Sequence, residues 1–422
     1  MSARPSSESS RPSSEVERVP EGVTPLDLDR VVNDPEIRIV ICCGSGGVGK
    51  TTMSAALALR AARAGRRAVV ITIDPARRLA QSLGIEQLDN VPRPVPLGDS
   101  DRGRDSDRGR DRDRDRDRGS DRGSDRSSDG GGGGSLDAMM LDMKRTFDDV
   151  VLAHATPEKA EQIFANPFYQ ALSTSFAGTQ EYMAMEKLGQ LHAEARQTGR
   201  WDLIVVDTPP ARSALDFLDA PEHLSRLLDG RFLKLLLAPA RGPLKLMSTG
   251  FAVVVATMNK VLGSQLLSDV QTFANAFETL FGGFRQRANQ TLQHLSSRHT
   301  TFLVVATGER DSLREAAYFT DRLTEERMPL AGLVVNRVHT TQVSLSADRA
   351  LALAEDLPAD GPEAVALTRH AENQRTRERE LSLVQRFATA RTGVPVHLVP
   401  AMVGDVYDLA ALDRIGDLLT PR

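Results

Sequence analysis

The chain has 422 residues, of which 40% are hydrophobic and 26% are charged, and its formal net charge at pH 7 is −4. These values are ordinary for a globular protein in water, and the negative net charge argues against nucleic acid or an anionic membrane surface as the main partner. No apolar run approaches the roughly 18 residues that span a bilayer, so we expect no direct membrane span.

The N-terminal segment, residues 1–32, is rich in Ser, Pro, Arg and Glu and offers little to bury, so it is predicted to be disordered. It also lacks the apolar core of a signal peptide, and we therefore expect a cytoplasmic protein. The folded domain is predicted to cover residues 33–422.

Residues 36–53, EIRIVICCGSGGVGKTTM, combine an apolar strand, a glycine-rich loop and the start of a helix. From Gly44 to Thr51 they fit the phosphate-loop pattern G-x-x-x-x-G-K-[ST], in which glycines let successive N–H groups form an anion nest at the positive end of the helix. Lys50 supplies charge to the β- and γ-phosphates, and the Thr51 hydroxyl can ligate Mg²⁺. The predicted nucleotide-binding set is Gly46, Gly47, Val48, Gly49, Lys50, Thr51 and Thr52.

Cys42 and Cys43, the only cysteines, are neighbours in the predicted buried strand before this loop. Their adjacency excludes a disulfide framework and a cysteine-based zinc site within one chain. We therefore interpret both as small core residues.

A second buried strand is predicted over residues 67–74 and ends in Asp74. Burying a carboxylate there costs free energy unless a cation or hydrogen bonds compensate its charge, which favours a role at a nucleotide site over helix capping.

Residues 99–135 alternate Asp and Arg before five glycines and a serine. Such mixed charge without apolar residues indicates a disordered insert in a surface loop; the alternative is an interaction tail.

Residues 136–142 fit either a short strand or the start of a helix. Residues 143–199 and 220–295 have helical apolar spacing and are predicted to form an inserted helical subdomain, interrupted by a strand at 201–207 that ends in Asp207. The helical region contains Met183, Met185, Met247 and Met258 and apolar segments at 232–237 and 251–257. Core packing is favoured for these residues; the alternative is a groove for an apolar helix.

Strands and helices alternate again after residue 300. Further strands are predicted at 301–306, 330–336 and 394–400, and helices up to residue 327, at 344–355, at 363–389 and from 406. Continuous apolar strands separated by helices indicate an α/β fold with a mostly parallel, doubly wound sheet. Ligands of such sheets bind at the carboxyl ends of strands, where Gly44, Asp74, Asp207 and Asn336 fall.

The motifs GGVGKTT at 46–52, DPA at 74–76, DTPP at 207–210 and VNR at 335–337, in this order, resemble the ArsA family. That family includes arsenite- or anion-pump ATPases and ATPases that target tail-anchored membrane proteins. The resemblance covers residues 36–400 except the Asp/Arg insert and is closest to actinobacterial-type, single-domain members. It implies a P-loop NTPase of the deviant Walker A class with ATP and Mg²⁺ as cofactors.

The resemblance also implies individual roles. Asp74 matches the switch I aspartate that positions the attacking water, and Asp207 matches the switch II aspartate that holds the Mg²⁺ hydration shell. The implied catalytic residues are thus Lys50, Asp74 and Asp207, and the implied metal-binding residues are Thr51, Asp74 and Asp207. Asn336 matches the residue that contacts adenine, and Pro400 lies in the loop that closes over the base; from the residues alone, a turn role for Asn336 is the alternative.

The chain departs from the family at three points. Ser45 stands where most members have a second lysine that reaches across a dimer, so that charge would have to come from Arg77, Arg78, Arg212 or a partner subunit. The thiol triad of a classical arsenite site and the CxxC motif of the targeting ATPases are also missing.

We therefore expect a Mg²⁺-dependent ATPase whose hydrolysis is coupled to anion transport or to handling of a protein client. The alternative, which Ser45 favours, is a non-catalytic ATP-dependent switch or assembly subunit that works with a paralogous partner. A partitioning or metallocentre-assembly NTPase is a weaker alternative, because the sequence shows neither a basic surface nor metal ligands. The expected partners are ATP, a second subunit in a homodimer or a heterodimer with a paralogue, and a membrane protein if the function is transport.

Overall fold

The computed structural model describes residues 19–73, 78–97, 133–166, 169, 170, 173, 179–209, 286–341 and 343–420. The strands are β1 (Ile39–Cys43), β2 (Arg67–Thr72), β3 (Arg93–Pro94), β4 (Ser135–Met140), β5 (Leu203–Asp207), β6 (Thr300–Thr307), β7 (Leu330–Val338) and β8 (Val396–Pro400). They form one sheet in the order β3-β4-β2-β5-β1-β6-β7-β8, in which only the β3–β4 pair is antiparallel. The predicted mostly parallel α/β sheet is confirmed.

Helices cover both faces of the sheet. They are α1 (Leu28–Asn33), α2 (Lys50–Arg63), α3 (Arg78–Ser82), α4 (Met143–His154), α5 (Pro157–Phe164), α6 (Thr179–Thr198), α7 (Arg310–Glu325), α8 (Ala347–Glu355), α9 (Pro362–Ala390) and α10 (Leu409–Leu419), with a further helical segment at 286–295. Successive strand residues point to opposite faces. Accordingly, Ile39 and Ile41 of β1 join the core beneath α4, α6, α7 and α9, and Val40 and Cys42 join the core beneath α1, α2 and α10.

The N-terminal segment differs from the prediction, because residues 19–32 are ordered and disorder is wrong for them. The Leu26 amide donates to the Val396 carbonyl (2.9 Å), and the Val396 amide donates to the Thr24 carbonyl (2.8 Å), so this segment extends the sheet beside β8. Leu28 is then buried at the start of α1. A few apolar residues in a polar stretch are enough to anchor it; residues 1–18 lie outside the described part of the chain.

The predicted insert ends earlier than its composition indicated. Ser135 opens β4, which pairs in parallel with β2 at Arg67, so the strand alternative for residues 136–142 is the correct one. A Cβ on Gly134 would strike the carbonyl oxygens of Ala62 and Arg66, so this last glycine of the run is packed against the fold. Residues 99–132, the rest of the predicted insert, lie outside the described residues.

The helical region between β4 and β5 contains α4, α5 and α6. Met183 and Met185 of α6 are fully buried and pack in the same core as Phe147, which confirms core packing for these two methionines. Met247, Met258 and the apolar segments 232–237 and 251–257 fall within 210–285, outside the described residues. Of the helices that are described, none combines the length and apolar character needed to cross a membrane.

Candidate active site

The loop between β1 and α2 lies at the carboxyl edge of the sheet, as predicted. Gly44 has φ +152°, and a Cβ there would strike the backbone carbonyl of Val305 on β6. Gly49 has φ +96°, and a Cβ there would strike the side-chain amide nitrogen of Asn336 near the end of β7. Glycine is thus required at both positions by close approach as well as by backbone conformation.

Lys50 is the first residue of α2, and its side chain is buried. Its ammonium donates to the carbonyl oxygens of Gly44 (3.0 Å) and Ser45 (2.8 Å). The lysine side chain therefore runs beneath the loop, from the last residues of the loop back to the first. Hydrogen bonds to both carbonyls hold the charge against the concave side of the loop, where an anion on the loop amides would meet it.

Asp207 ends β5 and is completely buried. One carboxylate oxygen accepts hydrogen bonds from the Thr51 hydroxyl (2.7 Å) and from the Thr72 hydroxyl (2.9 Å). The register aligns Thr72 of β2 with Asp207, and the loop places Thr51 above them. A buried carboxylate with hydroxyls beside it is a set of oxygen donors, the type that a hard divalent cation takes.

Asn336 closes the other side of the loop. Its side-chain amide donates to the Val48 carbonyl (2.8 Å), and its side-chain oxygen accepts from the backbone amide of Arg337 (2.9 Å). Arg337 has φ +59°, and its guanidinium donates to the Gly47 carbonyl (3.3 Å). Asn336 therefore fixes the loop from outside, and its contact with adenine stays a prediction.

Several of these residues line one cleft of about 930 Å³, whereas Gly44, Thr72 and Asp207 are not part of its lining. Of the predicted nucleotide-binding residues, the cleft lining includes Gly46, Gly47, Gly49, Lys50, Thr51, Thr52, Asn336 and Pro400. Val48 is buried beneath the loop and contributes its carbonyl to Asn336. Asp74 lies outside the described residues; β2, which precedes it, ends at Thr72 at this edge.

Ser45 does not replace the missing lysine. Its side chain is buried, and its hydroxyl oxygen lies 3.4 Å from that of Ser312 on α7. Ser312 in turn accepts from the Thr307 amide at the end of β6 (2.9 Å). Of the arginines predicted as substitutes, Arg77 and Arg212 lie outside the described residues and Arg78 opens α3.

Two residues of the site were missed by sequence reasoning. Thr72 could have been found, since it lies at the carboxyl end of a buried strand next to the one that ends in Asp207. Arg337 could not have been oriented from the sequence, because a left-handed backbone at a residue other than glycine leaves no simple signal.

The two cysteines are core residues, as predicted. Both are fully buried, and the Cys43 thiol donates to the Leu303 carbonyl at 3.6 Å. Burial raises the pKa of each thiol to about 12. The thiol is therefore favoured over the thiolate, which is the form that binds metals and attacks electrophiles.

A glycine-rich loop on a strand–helix junction, a buried lysine beneath it and a hydrogen bond from Thr51 at the start of the helix to Asp207 at a strand end define a P-loop NTPase. The family model for anion-transporting ATPases, ArsA_ATPase, matches residues 37–95 and 136–350. This match covers more than half of the chain, which therefore belongs to the anion-transporting ATPase family and is an ATP-binding, ATP-hydrolysing enzyme.

Similar proteins come from fungi, ciliates and bacteria. ATPase GET3 of Malassezia globosa is 24% identical over 323 residues, which cover 74% of this chain and 76% of that protein. ATPase ASNA1 homolog 2 of Paramecium tetraurelia is 22% identical, with 74% of this chain and 79% of that protein covered. Protein Rv2184c of Mycobacterium tuberculosis is 31% identical over 201 residues, 44% of this chain and 38% of that protein. The resemblance to ArsA-like ATPases is thereby confirmed.

Proposed function

We propose that this ATPase requires Mg²⁺ and couples hydrolysis to anion transport or to the handling of a protein client. The observation that carries the metal requirement is the contact of the Thr51 hydroxyl with the buried Asp207 carboxylate, at 2.7 Å. Hydroxyl and carboxylate oxygens are the ligands that Mg²⁺ takes when it also binds nucleotide phosphates. When bound, the ion would offset negative charge on the transferred phosphoryl group.

The chain's own residues supply the rest of the proposed chemistry. Lys50 and the loop amides bind the phosphates and stabilise the charge that develops on them. Asp74 follows β2 by two residues in the sequence, and Thr72 at the end of that strand contacts Asp207, which supports a place for Asp74 in the same site. We assign Asp74 to positioning the attacking water, as the family resemblance implies.

Arg337 is the residue that we propose in place of the family's second lysine. Its guanidinium donates to the Gly47 carbonyl, and Arg337 also lines the cleft. Arginine binds phosphate oxygens in bidentate fashion and stays charged at all relevant pH values. A cation supplied within one chain removes the main argument for the non-catalytic alternative, which family membership also disfavours.

Hydrolysis is tested with purified full-length protein in single-turnover assays, with Mg²⁺ and with a chelator in its place. Asp74→Asn should still bind ATP but turn it over about a hundredfold or more slowly, because a water-positioning carboxylate is lost. Asp348→Asn, an exposed carboxylate on α8, is the matched control and should behave as wild type. Undiminished turnover in Asp74→Asn would refute the role given to Asp74, and chelator-resistant turnover would refute the metal requirement.

The coupling and the assembly require separate measurements. We propose a dimer, of like chains or with a paralogue, that forms with ATP and loosens with ADP; sedimentation of the purified chain with each nucleotide tests the homodimer. Stimulation of turnover by an oxyanion would support transport, which then needs a membrane-protein partner. Stimulation by an apolar helical peptide would support a protein client, and the absence of both effects would contradict the coupling.

A further inference from the structure

A second cleft, of about 530 Å³, opens at the opposite edge of the sheet, where the parallel strands begin. It is bordered by Arg38 just before β1, Arg67 at the start of β2, Asp202 just before β5 and Thr300 at the start of β6. The carboxyl half of α6 and the turn after the helical segment 286–295 complete the wall. Along β1, roughly 15 Å of strand separates this cleft from the phosphate loop.

The lining of this amino-edge cleft is rich in basic side chains. It contains Arg38, Arg67, Arg196, His192, His294 and His299, against a single lining carboxylate, Asp202. That carboxylate is already engaged by Arg66 at 2.9 Å and by Arg67 at 3.6 Å. The guanidinium groups of Arg38 and Arg196 make no ion pair or hydrogen bond within the part of the chain that the structure describes. Positive charge is thus concentrated here without a matching anion.

Two histidine rings form the back of the cleft. His192 of α6 and His294 lie with ring centroids 4.5 Å apart. Burial lowers the pKa of His192 to about 4, assisted by the nearby positive groups His294, Arg196, Arg38 and His299. Burial and Arg196 also lower the pKa of His294. Burial and neighbouring positive charge thus disfavour the protonated form of both rings, and an anion in the cleft would favour that form.

His299 and its neighbours form the rim. The His299 ring lies 2.9 Å from the Glu36 backbone oxygen and 3.7 Å from the Glu36 carboxylate. The same carboxylate pairs with Arg298, at 3.4 Å, outside the cleft lining. The Glu36 carboxylate thus pairs with Arg298 and His299 and does not neutralise Arg38 or Arg196.

We propose that the amino-edge cleft binds a small multivalent oxyanion of the phosphate or sulfate class, held by Arg38 and Arg196 and backed by the His192–His294 pair. Two planar guanidinium groups can each donate two hydrogen bonds to such an anion, and the imidazoles add donors once protonated. The site is separate from the nucleotide cleft and does not depend on the function proposed above.

The test uses the full-length protein saturated with ADP and Mg²⁺, so that the phosphate loop is already filled. Sulfate and pyrophosphate are titrated in, and histidine side-chain signals are followed by NMR. Sulfate keeps its charge over this pH range, so any pH dependence of its affinity belongs to the protein. We expect the His192 and His294 signals to shift, and sulfate to bind more tightly at about pH 5.5 than at about pH 7.5, because protonated imidazoles attract the anion.

Arg38→Ala and Arg196→Ala should each weaken binding by about tenfold, the usual loss for a charged hydrogen-bond partner. Arg298→Ala removes a rim arginine that pairs with Glu36 and should change the affinity by less than about twofold. The proposal is overturned if neither anion moves the two histidine signals. It is equally overturned if the Arg38→Ala/Arg196→Ala double variant binds as wild type does, which would make any binding adventitious.

Discussion

The two edges of the sheet both gather positive charge, but they do so by different means. At the carboxyl edge, residues 44–49 form one continuous loop, and the proposed anion-binding groups are the amides of this loop and the buried Lys50, which is held by two loop carbonyls. At the amino edge, the charged groups are long side chains from five separate segments, and Arg38, Arg67 and Arg196 are exposed.

This difference should affect how tightly each edge binds an anion and how strongly salt weakens that binding. Preorganised backbone donors around a buried cation lose little freedom when an anion binds, whereas exposed arginines must be ordered and are screened by salt. We therefore expect tight, specific binding at the carboxyl edge and weaker, salt-sensitive binding at the amino edge. The four predictions below test that contrast.

The largest effect is expected for Lys50→Ala. Removing the charge beneath the loop should weaken ATP binding by a hundredfold or more, since the loop would lose its charged partner for the phosphates. Sulfate binding at the amino-edge cleft should be unchanged, because β1 lies between the two sites. Calorimetric titrations of nucleotide and sulfate check both; a parallel loss at both sites would mean that the two edges are not independent.

Gly44→Ala should lower the free energy of unfolding by about 3 kcal/mol, because the new Cβ meets a backbone carbonyl that cannot move aside. Gly47→Ala is the matched control. It also has positive φ (+77°), but nothing lies within 4 Å of its Cβ, so it should cost only about 1 kcal/mol. Urea unfolding of both variants measures the difference. Equal losses would show that conformation alone, and not close approach, requires glycine at position 44.

The pH dependence of the free energy of unfolding should reflect the protonation of His192 in the amino-edge cleft. His192 has a folded-state pKa of about 4, below its ordinary value of 6.5, so the unfolded chain binds the proton more readily. Stability is therefore full above about pH 6.5 and falls as the pH is lowered towards 4, by about 1 kcal/mol for a half-buried ring. His192→Asn should flatten this fall in urea unfolding curves at each pH. An unchanged slope would show that other groups cause it.

The smallest effect is expected from deleting residues 99–132. The two ends of this segment are held together, because Pro94 pairs with Asp137 and the Val95 amide donates to the Leu136 carbonyl at 2.8 Å. Shortening this connection from about 40 to about 6 residues lowers the entropic cost of closing the loop by roughly 1.7 kcal/mol, and the strain of so short a loop offsets part of this gain. ATP turnover and melting temperature should both remain near wild type. A large fall in either would show that the insert packs on the body.

Much of the fold followed from the sequence because apolar strands and helical spacing are local patterns. The seven longer strands were predicted, one of them as an alternative to a helix start, and the antiparallel β3 was not, since two residues carry no periodicity. Disorder was predicted too broadly at residues 19–32 and at Ser135, where backbone hydrogen bonds to a neighbouring strand and a few buried residues overcome an unfavourable composition.

The two clefts also differ in how far the sequence predicts them. The phosphate loop was found because its chemistry lies in consecutive residues, and strand ends then indicated Asp207 and Asn336. The amino-edge cleft was not, because topology alone brings Arg38, His192 and His294 together from distant positions. The orientation of Ser45 towards Ser312 was likewise beyond sequence reasoning, since it depends on how α7 packs against the loop.

The buried cysteines give the molecule a built-in reporter of opening. Both thiols lie on β1, the strand that runs between the two clefts, and their raised pKa keeps them unreactive while that strand stays paired. A thiol reagent should therefore label the native protein only when β1 is exposed by unfolding. Slower labelling in the presence of ATP, or of sulfate, would then measure how far each ligand stabilises the same central strand, without any engineered probe.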